Sequence, residues 1–132
     1  MDVDSFRAPD VQMLIVDDNE INAKVALRFA KAYGINGDLA FDGKQAVSMV
    51  QSKNYDLVLM DVMMPKMNGY EATKAIRSLH DRPDADEIPI IAMTANAFAE
   101  DVQASLDAGM NGHLSKPIVI EEVVKTIARN LN

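Results

Sequence analysis

The segment from Tyr55 to Pro65, YDLVLMDVMMP, constrains the fold more than any other part of the chain. Its apolar run from Leu57 to Met60 has the length and composition of a strand buried on both faces, as strands of parallel sheets are. The run ends at Asp61, and Pro65 then stops ladder pairing because it has no N–H group to donate. A carboxylate at the tip of a buried strand is costly unless a partner uses it. One isolated acid would most simply cap a turn, so the rest of the chain has to supply the partners.

Four other short apolar segments have the character of strands. They span residues 11–16, 35–41, 88–93 and 111–115. A segment of helical periodicity follows each strand, the first with Ile21, Val25, Phe29 and Ala32 on one face. Five strands alternating with five amphipathic helices predict an α/β fold with a single, doubly wound parallel sheet.

The chain is long enough for one domain with an ordinary core, since it has 132 residues. Residues 1–10 have no periodicity and contain Pro9, so we expect a tail or linker remnant there and a folded domain over residues 11–132.

Composition excludes several classes of function. The net charge of −7 disfavours direct nucleic-acid binding, which needs a basic face. The absence of cysteine excludes disulfides and thiolate metal sites, and two histidines do not make a zinc centre. No apolar run approaches the roughly 18 residues of a membrane span, and no signal peptide pattern opens the chain. We therefore expect a cytoplasmic domain with no membrane contact.

The ends of the predicted strands carry the side chains that could bind a metal ion or take part in a reaction. Asp17 and Asp18 follow the first strand, Asp61 ends the third, Thr94 the fourth and Lys116 the fifth. In a parallel sheet the carboxyl ends of all strands lie at one edge, where sites form. Three acids, a hydroxyl and an ammonium group are therefore expected to meet there.

Each of these residues also has a purely structural interpretation. Asp17 and Glu20 have capping-box spacing, Thr94 suits the N-cap of the next helix, and a lysine in a loop is usually solvated. Three crowded carboxylates, however, repel by about 4 kcal/mol per pair at 4 Å and an effective dielectric of 20. A hard divalent cation, most simply Mg²⁺, would relieve this repulsion. Such a cation with Thr94 and Lys116 would form a cradle for phosphate charge around Asp61 as nucleophile.

Four motifs at these positions point to a known family. They are LIVDDNE at 14–20, LVLMDVMMPKMNGYE at 57–71, IIAMTANA at 90–97 and HLSKPI at 113–118. With these motifs the sequence resembles a receiver domain of two-component response regulators from residue 11 to residue 130. The resemblance implies the flavodoxin-like receiver fold with strand order 2-1-3-4-5.

The resemblance also implies a function. Asp61 would accept a phosphoryl group from a histidine kinase or a histidine phosphotransfer protein, and the domain would catalyse its own phosphorylation and dephosphorylation. The implied ligands of Mg²⁺ are Asp18, Asp61 and the backbone carbonyl of Met63, with Asp17 acting largely through water. The switch would reshape the face of the last two helices and the fifth strand for a downstream protein partner.

Further implied roles belong to the residues around the acceptor. Thr94 and Lys116 would contact the phosphoryl oxygens, whereas Met63 and Asn96 match positions that tune phosphoryl loss. The family often has Tyr or Phe three residues before the lysine, but this chain has His113, which is similar to receivers of hybrid histidine kinases. Met60, Met63, Met64 and Met67 are expected to be core filler and loop anchors.

Three alternatives compete with this interpretation. A phosphatase of the haloacid dehalogenase type would need an acid where Met63 stands. A flavodoxin-like flavin binder would need a Gly/Ser/Thr-rich loop where the chain has DDNE, which repels phosphate. A pseudo-receiver that binds partners without phosphorylation stays open.

Overall fold

The computed structural model describes residues 11–64, 66–79, 87–94, 99–115 and 120–131, which form five strands and five helices in alternation. The strands are β1 (Gln12–Val16), β2 (Asn36–Ala40), β3 (Leu57–Asp61), β4 (Ile90–Thr94) and β5 (Gly112–Ser115). The helices are α1 (Glu20–Ala32), α2 (Gly43–Ser52), α3 (Gly69–Arg77), α4 (Ala99–Ala108) and α5 (Ile120–Leu131).

The strands form one parallel sheet in the order β2-β1-β3-β4-β5. The predicted α/β class and strand order are therefore confirmed. The predicted tail, residues 1–10, lies outside the described residues. Among the described helices, none combines the length and the apolar character needed to cross a membrane.

The core has two parts because successive residues of each strand point to opposite faces of the sheet. Leu14, Val58 and Ile90 belong to the part under α2 and α3, together with Ala46 and Ile76. The other part contains Ile15, Leu59 and Ile91, and it is covered by α1 and α5. All five residues of β3 and all five of β4 are buried, as the apolar runs predicted.

Helix α1 departs from the prediction. Its predicted apolar face is exposed to solvent, and the members of that face are Ile21, Val25, Phe29 and Ala32. The helix instead packs against the sheet through the buried residues Ala23 and Ala30, with Ala26 and Leu27 partly buried beside them. Small side chains allow closer approach to the sheet, whereas apolar periodicity alone does not say which of two stripes is buried. The exposed residues form what we call the α1 stripe (Ile21, Val25 and Phe29).

A polar cluster ties β2 to the segment that leads into β3. Lys53 Nζ and the Tyr55 hydroxyl both donate to Asp38 Oδ2, each at 2.7 Å. These hydrogen bonds, first that of Lys53 and then that of Tyr55, lower the pKa of Asp38. Burial, followed by the hydrogen bond to Asp38, raises the pKa of Tyr55. The cluster therefore favours a charged carboxylate and a neutral phenol.

We expect Tyr55→Phe to lower the free energy of unfolding by about 1 kcal/mol at neutral pH, because the mutant loses one hydrogen bond to a carboxylate. Since folding lowers the pKa of Asp38, its stabilisation is fully present above the ordinary value of 3.8 and is lost as pH falls through the folded pKa. The difference between wild type and mutant should shrink over that acidic range. Urea denaturation across pH measures it.

The matched control is Tyr70→Phe. Its hydroxyl forms no hydrogen bond with any residue in the described ranges, and its side chain is half-buried. A Tyr55→Phe effect that is no larger than the control effect, or that does not change with pH, would contradict the role of the cluster.

Candidate functional site

Strand register places two of the predicted acids side by side. Val16 of β1 pairs with Met60 of β3. Asp17, which follows β1, and Asp61, the last residue of β3, therefore stand at the same level. Both side chains are buried, and Asp61 is only 2% exposed. Both lie at the carboxyl edge of the sheet, where the sequence predicted the site.

The third acid joins them. One carboxylate oxygen from each of Asp17, Asp18 and Asp61 lies within 4.8 Å of the other two. Asp18 is exposed, so the cluster has two buried members and one facing solvent. Unit charges at this separation repel by about 3 kcal/mol per pair at an effective dielectric of 20.

The structural alternative for Asp17, a cap of α1, does not hold. Asn19 is the N-cap of α1, and its side chain accepts a hydrogen bond from the backbone N–H of Asn22. Oδ1 of Asp17 accepts from the backbone N–H of Asn19 at 2.9 Å. Because another residue caps the helix, the position of Asp17 next to Asp61 is not explained by helix capping.

The backbone after β3 holds the carboxylate of Asp61. The backbone N–H of Met63 donates to Asp61 Oδ1 at 3.2 Å. The N–H of Val62 continues the ladder by donating to the carbonyl of Met93 at 3.1 Å. Asp61 thus has a defined orientation at the sheet edge, while the side chain of Met63 is exposed.

Thr94 ends β4, the neighbour of β3, and is buried. In the register Asp61 pairs with Met93, so Thr94 stands one position beyond Asp61 at the same edge. Thr94 pairs with Ser115 of β5, the residue before Lys116.

Lys116 and Asn96 lie outside the described residues, so their predicted roles stay predictions. His113 is exposed on β5.

The loop after β3 depends on a glycine that sequence reasoning did not single out. A Cβ at Gly69 would overlap the carbonyl oxygen of Asp61 and lie 2.9 Å from Cα of Val62. The first turn of α3 therefore packs directly on the backbone of Asp61. The glycine at the start of α3 was the available signal, because glycine permits close backbone approach. Asn68 and Glu71 form a capping box at the start of this helix.

The donor set fits a hard divalent cation. The cluster offers only carboxylate oxygens, the ligands preferred by Mg²⁺, and the described residues include no cysteine or histidine in it. Asp17, Asp18 and Asp61 are the residues that would hold the ion. The predicted contribution of the Met63 carbonyl stays a prediction.

Comparison with known proteins identifies the class. The family model described as "Response regulator receiver domain" matches residues 13–128. The chain therefore belongs to the response regulator receiver domain family. It is also 38% identical, over 95% of its length, to sensor protein GacS of Pseudomonas syringae pv. syringae, of which it covers 14%. The chain spans between 7% and 18% of the length of the curated relatives it matches.

Two solved structures are similar over nearly the whole chain. One is the receiver domain of sensor histidine kinase PA1611 from Pseudomonas aeruginosa PAO1, with a magnesium ion coordinated in its active site cleft. It has a TM-score of 0.82 and 36% identity, covering 92% of this chain and 97% of that one. The other is the receiver domain of Ssk1 in complex with the phosphotransfer protein Ypd1 of Saccharomyces cerevisiae. That match has a TM-score of 0.82 and 29% identity, covering 92% and 89% of the two chains.

We expect Gly69→Ala to lower the free energy of unfolding by about 2 kcal/mol, because the added methyl group displaces the backbone of Asp61. The same displacement should weaken Mg²⁺ binding to the folded protein. Chemical denaturation and Mg²⁺ titration by calorimetry measure the two effects.

Gly112→Ala in β5 is the matched control. Among the residues that the structure describes, its added methyl group would meet only Cδ1 of Ile91, at 3.4 Å. If both variants bind Mg²⁺ as wild type does, the packing of α3 on Asp61 does not position the site.

Proposed function

We propose that this chain is a phosphoryl-accepting signalling domain in which Asp61 is the acceptor and the acid cluster holds Mg²⁺. The observation that carries the proposal is the convergence of three carboxylates at the carboxyl edge, with the buried Asp61 at the end of β3. Crowded acids of this kind serve no purpose in packing, because burial of Asp17 and Asp61 costs desolvation and all three carboxylates repel one another.

The reaction is a transfer between two nucleophiles. A carboxylate oxygen of Asp61 attacks the phosphorus of a phosphohistidine, a P–O bond forms and the P–N bond breaks. The imidazole nitrogen keeps the electron pair and takes up a proton. The bound cation would supply positive charge against the phosphoryl oxygens. The chain itself orients the attacking carboxylate, through the N–H of Met63.

Contacts of two further side chains with the phosphoryl group shift the conformation of the domain. The hydroxyl of Thr94 donates to one phosphoryl oxygen, and Lys116 pairs with another. Hydrogen bonds that involve charge contribute about 1.5–3 kcal/mol each, so two supply about 3–6. Moving a two-state equilibrium from 1:99 to 99:1 needs about 5.5 kcal/mol. Two contacts at the upper end of this range therefore supply enough free energy for the switch, with little to spare. The face of α4, β5 and α5 is then read by a downstream protein.

Known relatives support the donor and the metal. The similar Pseudomonas aeruginosa receiver holds magnesium, and the Ssk1 receiver forms a complex with a histidine phosphotransfer protein. The short share of each relative that this chain covers fits a receiver from a hybrid histidine kinase. We place the domain in the cytoplasm, where such kinases obtain ATP.

The test is incubation with Mg²⁺ and phosphoramidate, followed by intact mass. We expect one added phosphoryl group on wild type, and none with Asp61→Asn or without divalent cation. Asp107→Asn, an exposed acid on α4, is the control and should be modified as wild type is. An unmodified wild-type protein that still folds would favour the pseudo-receiver alternative.

The donor needs a docking surface near Asp61, and the α1 stripe provides one. Ile21 is three residues from Asp18, and Phe29 lies roughly 12 Å farther along the helix axis. The stripe side chains are between 43% and 74% exposed, so a bound protein would remove much apolar surface from water. We propose that the phosphohistidine donor covers this stripe while it presents its imidazole to Asp61.

We expect the double variant Val25→Ser, Phe29→Ser to lower the rate of phosphoryl transfer from a phosphorylated histidine phosphotransfer protein by about tenfold or more. The physical reason is that two apolar contacts with the donor are lost. Phosphorylation by phosphoramidate should be unchanged, because a small donor needs no docking surface. Transfer is measured by loss of label from the donor, with Ypd1 as the first probe.

Leu106→Ser on α4 is the control, since Leu106 is 53% exposed but belongs to a different helix. Equal loss with the control, or loss with the small donor as well, would show that the stripe does not act in docking.

A further inference from the structure

Met63 differs from the other methionines of the described part of the chain. Its side chain is 74% exposed, whereas Met49 and Met67 are half-buried against the core. Five more are buried: Met13, Met60, Met64, Met93 and Met110. The expectation that Met63 is core filler or a loop anchor is therefore wrong for its side chain. A thioether in this position is open to oxidants that do not reach the buried ones.

The residue that carries the exposed thioether contacts the reacting carboxylate through its backbone. The backbone N–H of Met63 donates to Asp61 Oδ1 at 3.2 Å, and Met63 is the second residue after the acceptor. The loop is held in place by the N–H of Gly69, which donates to the carbonyl of Val62 at 3.0 Å. Oxidation of Met63 thus changes an exposed side chain on a residue whose backbone contacts the acid cluster.

We propose that Met63 is a modification site for hydrogen peroxide and organic hydroperoxides, and that its oxidation shortens the life of the phosphoryl group on Asp61. In the oxidation a sulfur lone pair attacks one peroxide oxygen and the O–O bond breaks. That oxygen stays on sulfur as the sulfoxide and gives up its proton to the other oxygen, which leaves as water or an alcohol. Sulfoxide reductases reverse the change.

The effect on the phosphoryl group follows from hydration. A thioether is a weak hydrogen-bond acceptor and presents apolar surface, whereas a sulfoxide oxygen is polar and accepts hydrogen bonds from water. Loss of the phosphoryl group needs a water molecule that attacks phosphorus, while the P–O bond breaks and the carboxylate of Asp61 is restored. A sulfoxide at position 63 holds water close to that bond. This second step rests on the proposed function of Asp61.

The first arm of the test maps oxidation. The folded protein is treated with increasing hydrogen peroxide and digested, and each methionine peptide is quantified by mass. We expect Met63 to be oxidised at least about fivefold faster than any methionine in the described ranges, since reactivity follows exposure. Oxidation that begins at a buried methionine, or is evenly spread, would overturn the assignment of the site.

The second arm measures phosphoryl loss. Oxidised and unoxidised proteins are phosphorylated with phosphoramidate, desalted, and followed by intact mass. We expect loss about threefold faster or more after oxidation, and recovery of the original rate after treatment with methionine sulfoxide reductases. Met63→Leu should show no change on peroxide treatment, whereas Met67→Leu, in the same loop, should respond as wild type does.

The outcomes separate the two proposals. Equal decay before and after oxidation of Met63 would overturn the regulatory step and leave the phosphoryl acceptor intact. A wild-type protein that never gains a phosphoryl group would contradict the proposed function and the regulatory step together. The mapping arm decides the modification site in either case.

Discussion

Repulsion among three carboxylates is the constraint on which the functional part of this structure depends. The parallel sheet forces it, because β1 and β3 are adjacent and both end in acids at one edge. Asp17 and Asp61 are buried, so water screens their repulsion poorly. A bound cation offsets the negative charge of the cluster, and the same positive charge can stabilise phosphoryl oxygens, which links the fold to phosphoryl chemistry.

Around the acid cluster, two backbone segments lie in close contact. The first turn of α3 contacts the backbone of Asp61 at Gly69, and the capping box of Asn68 and Glu71 fixes where that helix begins. Lys66, between them and the strand, has φ of 70°, a conformation that costs a non-glycine residue about 1 kcal/mol. Backbone strain of this kind is common in loops that hold a functional group in place.

The surface near the site is more apolar than the acidic composition suggests. The α1 stripe follows the acid pair of β1, and Met63 follows Asp61, so exposed apolar groups flank two strand ends. Both proposals draw on this exposed apolar surface. We propose the α1 stripe as the docking surface for a donor protein and Met63 as the site of oxidation.

Sequence by itself determined the alternation of strands and helices, the burial of β3 and the gathering of Asp17, Asp18 and Asp61, because runs buried on both faces imply a parallel sheet and such a sheet collects its strand ends. The strand order came from family resemblance. Only tertiary structure decided which stripe of α1 faces the sheet, that Asn19 and not Asp17 caps this helix, and that Met63 faces solvent. Periodicity shows which residues share a face of a helix, but not how much space lies between each face and the sheet. That space is set by residues distant in sequence.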